Sequence, residues 1–385
     1  MEDKEYFFTE AVKHLQNLIS IPSFSNEEDR VADLWQQWLK DHGSKKVKRF
    51  HNNVYALSEN YDKTKPTLLL NSHLDTVKPV SSYTRDPFDA EIKDDKLFGL
   101  GSNDAGGSGV SLATTFLKLK DRKDLPFNLM FAITASEERM GEYGMRAFLP
   151  HLKEEGIYPT MAIVGEPTEC MAAIAERGLV VCDVEVDGKA GHAARNEGVN
   201  AIYRAIEDIE DIEKLNNNWP KTSDTLGDIK ATVTIIGAGT QHNVVPDKCT
   251  YVVDIRTTDA YTNEETVELL RENTKWSKFT PRSTRIRASV LSHHHPLFMA
   301  AELSKMPTFV SPTTSDMALM HDIPSIKIGP GKSERSHSAD EFIYLEEIRQ
   351  GCLAYEDFIN TLSKIMAASA KMPAIPENNK QLIHT

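Results

Sequence analysis

Imidazole and carboxylate side chains stand just past apolar, strand-like runs at five separated points of this 385-residue chain. They are His73 and Asp75 in NSHLDTV, Asp104 in GSNDAGG, Glu137 and Glu138 in ITASEER, Glu166 in VGEPT, and His337 in GPGKSERSHSADEF. Nitrogen and oxygen donors without thiolate suit zinc, with cobalt or manganese as alternatives, and carboxylates can bridge two ions about 3.5–4 Å apart. Such a pair can acidify a water, polarise a scissile carbonyl and stabilise a tetrahedral intermediate, provided one acid stays free to move the proton. An H-x-D or E-E pair alone is more often a capped turn or a solvated pair. The joint placement of five segments after five apolar runs is what points to a site.

Positioning these donors requires strands that end along one sheet edge, where sites in α/β layers form. From Pro66 short apolar runs alternate with amphipathic ones: TLLLNSHLD, SGVSLATTFLKLK, FNLMFAITASEE, then a helix and TMAIVGEP. This predicts an α/β layer with a mixed, largely parallel sheet between helices. Two helices precede it. The first carries Phe7, Val12, Leu15, Leu18 and Ile19 at helical spacing, and the second is read as opened by a capping box, Ser25 and Glu28, and closed by Gly43. From about Arg177 the order becomes strand, helix, strand, strand, helix, strand, a compact α+β sandwich inserted into the first domain. The expected boundaries are 1–177 and 293–385 for the metal-binding domain and 178–292 for the insert. The tail 371–385, with Pro373 and Pro376, is expected to be loose.

The net charge of −13 disfavours nucleic acid, because phosphate binding needs a basic surface. No run of about 18 apolar residues suggests a membrane span, and MEDKEYFFTE does not read as a signal peptide, so the expected location is the cytoplasm. Cys170, Cys182, Cys249 and Cys352 are scattered and read as free thiols rather than a disulfide framework. The run His293–His295 cannot converge on one ion, since consecutive side chains diverge, and reads as a hinge or pocket loop.

The combination HLDTV, SNDAGG, SEE, GEPT, GHAAR, NVVPD and GPG…H resembles, over nearly the whole chain, the zinc amidohydrolases. That family includes acetylornithine deacetylase, succinyl-diaminopimelate desuccinylase, aminoacylase and related dipeptidases and carboxypeptidases. The resemblance implies a zinc-exopeptidase-like catalytic domain with a lid and dimerisation domain inserted. It implies two metal ions, one held by His73, Asp104 and Glu166 and the other by Asp104, Glu138 and His337. Asp75 would orient the imidazole of His73, and Glu137 would be the general base. His192 in GHAAR would reach into the partner's site of a homodimer, while Asn243, Arg256 and the backbone amides of Gly329 and Gly331 would contact substrate. The GEPT and GHAAR forms favour a deacylase of a small N-acyl amino acid, most like acetylornithine deacetylase. N-succinylornithine and N-acetylcitrulline are close alternatives, a dipeptidase is a further one, and a non-catalytic metal-bound binding protein is disfavoured by the intact donor set with Glu137.

Overall fold

The computed structural model describes residues 2–195 and 197–369; the tail 371–385 lies outside them. The chain divides into two compact units, Met1–Ala172 with Ser292–Thr308 and Ile328–Thr385, and Ala173–Leu291 with Phe309–Lys327. This differs from the sequence expectation in three places: Ala173–Arg177 and Phe309–Lys327 group with the inserted unit, and Ser292 with the first. Within the second unit, Lys327 of strand Ser325–Lys327 is in register with Ala173.

In the first unit the strands lie in the order Val47–Phe50, Asn53–Leu57, Asn128–Thr134, Thr67–His73, Met161–Val164. The first two junctions are antiparallel and the next two parallel. The strands Thr67–His73 and Asn128–Thr134 are buried along their whole length, as expected of strands covered on both faces. Successive side chains alternate between those faces. Phe131 meets Trp35 and Phe116, from helices Asp29–Asp41 and Gly107–Leu119, with ring centroids 5.7 and 6.1 Å apart. Tyr55, in register with the neighbouring Ala132 and so on the opposite face, meets Phe148 of helix Met145–Glu154 at 5.2 Å. Helices therefore cover both sides of the sheet.

The second helix ends as expected, with Gly43 in the left-handed region at φ 80°. It does not begin as expected. Glu28 occupies the cap position without a side-chain capping bond, and neither Ser25 nor Glu28 serves the helix. The Ser25 hydroxyl donates to Asp75, and the Glu28 carboxylate faces the 136 turn instead. A true capping box occurs at helix Asn263–Glu272, where Glu265 N donates to Thr262 Oγ1 at 3.1 Å and Thr262 N to Glu265 Oε2 at 2.8 Å.

The second unit follows the expected strand–helix–strand–strand–helix–strand order: Gly178–Asp187, Ala201–Asn216, Lys230–Ala238, Lys248–Thr257, Asn263–Glu272 and Ser277–Pro281. Its four long strands form one antiparallel sheet with Lys230–Ala238 at an edge. Alternate residues Val180, Cys182, Val184 and Val186 point inward against Ala201, Ala205, Ile212 and Leu270 of the two helices. Cys182 and Cys249 are buried and Cys170 and Cys352 half-buried, all four as free thiols.

Candidate metal centre and active site

Three parallel strands deliver donors to one edge of the first unit. His73 is the last residue of Thr67–His73 and stands in register with Thr134, the last residue of the adjacent strand, so the Ser136–Glu138 turn emerges beside it. On the other side, Asn71 is in register with Val164, two residues before Glu166. Asp104 sits in the irregular segment Ser102–Gly106 that opens helix Gly107–Leu119. His337, with φ 57°, follows the turn Ser333–Arg335.

All five predicted metal donors come together. Asp104 presents one oxygen to each histidine: Oδ1 lies 3.3 Å from His73 Nε2 and Oδ2 3.7 Å from His337 Nε2. Glu166 Oε1 stands 3.8 Å from His73 Nε2, and Glu138 Oε2 3.0 Å from His337 Nε2. Donor atoms of His73, Asp104 and Glu138, and of His73, Glu137 and Glu166, fall within 4.8 Å of one another. His73 Nδ1 is 2.9 Å from the carbonyl oxygen of Asp75. If that nitrogen carries the proton, the lone pair of Nε2 faces carboxylates, an arrangement that makes sense around a cation. Without one, protons take its place. The hydrogen bond to Glu138 pushes His337 up to about 9. His73 is held well above its usual value because Asp104 and Asp75 outweigh the opposing effect of burial. Burial would raise Asp104, and His73 overrides it to hold the acid low. Four carboxylates against two imidazoles make a donor set whose chemistry fits divalent cations.

Asp75 lies against His73 and serves the paired glutamates as well. Its Oδ1 is 3.6 Å from His73 Nδ1, farther than its own carbonyl, and accepts from Glu137 N at 2.9 Å, while Oδ2 accepts from Glu138 N at 3.2 Å and the Ser25 hydroxyl at 2.7 Å. One residue thus steers the imidazole through its carbonyl and the paired glutamates through its carboxylate. Glu137 is 8 % exposed, sheltered yet reachable.

Residues 69–361 match the pattern of peptidase family M20/M25/M40. The chain belongs to that family. This M20 chain is 25% identical over 384 residues to a succinyl-diaminopimelate desuccinylase of Wolbachia pipientis, covering 92% of this chain and 95% of that one. It is 26% identical over 360 residues to an acetylornithine deacetylase of Edwardsiella ictaluri, covering 85% and 91%. Its fold superposes on the Bacillus subtilis YXEP protein, a dinuclear metal binding peptidase of the M20 family, with a TM-score of 0.71 at 16% identity, covering 94% and 99%. The M20 enzyme is accordingly a metal-dependent hydrolase of amide bonds.

The predicted lid residues all belong to the second unit. The two-residue ladder Gly191–His192 with Val244–Val245 brings the GHAAR and NVVPD motifs together, and Ala193 N donates to the carbonyl of Asn243 at 3.1 Å. His192 is exposed, and its Nδ1 accepts from Ala194 N at 3.2 Å, which leaves the proton on Nε2 as an outward donor. Arg256 is engaged as a fork on Asp254, at 2.8 and 3.2 Å, so the surface ion pair is what this residue makes. The structure engages the amide of Gly329 and the carbonyl, not the amide, of Gly331. The Gly329 amide donates to Thr168 Oγ1 at 3.0 Å, and a Cβ there would meet Glu166 O at 2.4 Å, so Gly329 packs the Glu166 strand and its amide is not free for a substrate carboxylate. Gly331, at φ 88°, gives its carbonyl to Glu169 N at 2.8 Å and packs on Asn103. His295 caps helix Pro296–Leu303 and His293 stacks on Phe298, which gives the histidine run a helix-start role.

Glu341 escaped the sequence reading. Its buried carboxylate accepts from the amides of Gly101, Asn103 and Asp104 at 3.1, 2.8 and 2.9 Å and fixes the segment that carries Asp104. Burial first, and the nearby Asp104 charge second, raise it to about 8. Its place four residues after His337 was the available signal. Arg335 holds the His337 loop by a double bond to Glu347 at 2.6 and 2.8 Å.

Proposed function

We propose that this M20 enzyme hydrolyses the amide bond of a small N-acyl amino acid, with N-acetyl-L-ornithine as substrate and L-ornithine and acetate as products, a step of arginine biosynthesis in the cytoplasm. The observation that carries the reading is the sheltered Glu137 beside a histidine–carboxylate cluster whose Asp104 faces both histidines. Matches spanning most of the chain to a deacetylase and a desuccinylase support it.

His73, Asp104 and Glu166 would hold one ion and Asp104, Glu138 and His337 the other, zinc first, with cobalt or manganese as alternatives. Bound there, the ions supply Lewis acidity toward a carbonyl oxygen and toward water. Glu137 takes the proton of the attacking water on its carboxylate and delivers it to the departing amine. Asp75, bonded to the Glu137 amide, holds that carboxylate's backbone in place. His192, with its proton on Nε2, donates to the oxyanion across a homodimer interface. The edge strand Lys230–Ala238, exposing Ile235 and Ile236, supports pairing of two copies there. Asn243 stands beside His192 for substrate contact; Arg256 would reach a substrate carboxylate by exchanging Asp254 for it.

A second reading has a specific observation behind it. A cavity of about 290 Å³ next to Glu138 is lined also by Glu27, Lys78 and Arg139, and neither cation forms an ion pair with a carboxylate among the described residues. An acyl group that ends in its own carboxylate, as in N-succinylornithine, would meet them. The test is acyl release from N-acetylornithine, N-succinylornithine, N-acetylcitrulline, N-acetylmethionine and a dipeptide, with zinc or cobalt. Fastest cleavage of N-acetylornithine supports the first reading, preference for the succinyl compound the second, and preference for the dipeptide refutes both.

A further inference from the structure

The Ser136–Glu138 turn is tight and locally unfavourable. Ser136 has φ 56°, Met140 has φ 47°, and both lie in the left-handed region that non-glycine residues avoid. The turn closes by Met140 N to Glu137 O at 2.7 Å and Gly141 N to Ser136 O at 2.8 Å. A Cβ at Gly141 would meet Ser136 Cβ at 2.5 Å, so the chain folds back hard on itself here. Such a conformation persists where surrounding groups over-determine it.

One group that does so comes from far away in sequence. Glu28 is 1 % exposed, and its Oε1 accepts from Ser136 N at 3.1 Å, Ser136 Oγ at 3.0 Å and Asn26 N at 2.7 Å. Its Oε2 accepts from Asn52 Nδ2 at 3.0 Å. Among the described residues no lysine, arginine or histidine pairs with it. A buried carboxylate held by neutral donors alone is costly unless its acceptor strength serves a purpose. Three residues earlier, Ser25 bonds Asp75, which in turn takes the amides of Glu137 and Glu138. The short segment from Ser25 to Glu28 thus reaches the turn twice, directly at Ser136 and through Asp75 at the two glutamates.

We propose that Glu28 is a positioning residue of the active site: by fixing Ser136 in the left-handed region it aims the Glu137 carboxylate at the reacting atoms. This rests on the reading of Glu137 as general base. Small misplacements of a catalytic group cost large factors in rate. For the zinc-loaded full-length enzyme, Glu28→Ala is expected to lower kcat about 10- to 100-fold with little change in KM and with the same metal equivalents by elemental analysis. Glu28→Gln keeps one oxygen that can accept from Ser136 and is expected to recover part of the loss. An unchanged kcat in folded, metal-loaded Glu28→Ala overturns the proposal, as does a kcat loss matched by a loss of bound metal, or a Gln variant no better than Ala. Should Glu28→Ala fail to fold, Ser136→Ala removes the hydroxyl contacts to Glu28 and to Asn26 and keeps the amide contact to Glu28; a kcat drop of roughly 3- to 10-fold at full metal content that Asn26→Ala does not reproduce supports the proposal, and wild-type kcat overturns it. Glu137→Ala runs alongside: activity retained there removes the general-base reading, whereas an inactive Glu137→Ala beside a wild-type-like Glu28→Ala removes only the positioning role.

Discussion

Replacing His14 by phenylalanine should stabilise the first unit, and by more in acid than at neutral pH. His14 is 1 % exposed, stacked on Trp38 with centroids 4.3 Å apart and edge-on to Trp35 at 4.5 Å. Neither of its ring nitrogens has a hydrogen-bond partner among the described residues. Burial, then the neighbouring His42, which itself lies 3.2 Å from Glu10, hold its pKa well below 6.5. The folded state therefore keeps the ring neutral, while the unfolded chain takes up a proton below about 6.5. The sign follows: stability is unaffected above that pH and is lost as pH falls below it, by up to about 1.4 kcal/mol per unit. At pH 5 the loss approaches about 2 kcal/mol, on top of about 1–3 kcal/mol for the unpartnered nitrogens at any pH. His14→Phe removes both, less whatever strain the larger ring brings. Urea unfolding of wild type and variant, followed by tryptophan fluorescence between pH 5 and 8, isolates the effect, since every other titrating group cancels in the difference. Curves that stay parallel across that range would refute the reasoning.

Glu137→Ala should lower kcat by about 10²–10⁴-fold with metal content unchanged, and a variant that keeps wild-type kcat would exclude it as the base. Because His337 in the metal-free protein stays protonated to about 9, zinc binding at pH 7 should release about one proton fewer in His337→Ala than in wild type. The difference should vanish as pH rises past 9, and calorimetry in buffers of different ionisation heat measures it; equal release at pH 7 contradicts the assignment. Ile236→Lys on the exposed edge strand should yield a monomer by light scattering, with kcat reduced if His192 acts across the interface. A wild-type protein that is monomeric and fully active removes that role. Chelation should abolish hydrolysis and added zinc or cobalt restore it; activity that survives exhaustive chelation refutes metal dependence.

The donors were legible because each follows an apolar run, and a parallel strand's end is a predictable place. His73, Glu138 and Glu166 follow that rule, whereas Asp104 lies in the segment that opens helix Gly107–Leu119 and His337 after a turn, and choosing these five as ligands over Asp75 and Glu137 took the family resemblance. The insert was legible from its alternation, since Val180, Cys182, Val184 and Val186 share one face at period two. What stayed hidden depends on contacts between distant segments. Ser25 and Glu28 fit a capping box as well as any local pattern can, and only the tertiary position of Ser136 and Asp75 shows that both point away from the helix. Gly329 looked like a ligand-facing glycine because sequence says that backbone comes close there, without saying to what. The grouping of strand Ser325–Lys327 with the second unit was hidden for a similar reason. Its Lys327 forms a buried pair with Glu176 at 2.9 Å, a partner nothing local announces.

The first unit is assembled from three stretches of chain, and its donors run from His73 to His337. During synthesis the strands bearing His73, Glu138 and Glu166 leave the ribosome long before the His337 loop and helix Leu345–Ser369 that supports it. Domains generally fold as units as they emerge, but the stretches of this one are separated by the insert and can close only after it has been made. Pairings this remote in sequence are slow to form. The inserted unit is largely contiguous and is free to fold in the meantime. With His337 as a donor, the proposed centre is complete only when nearly the whole chain has been translated, and a nascent or truncated chain lacks one of its donors.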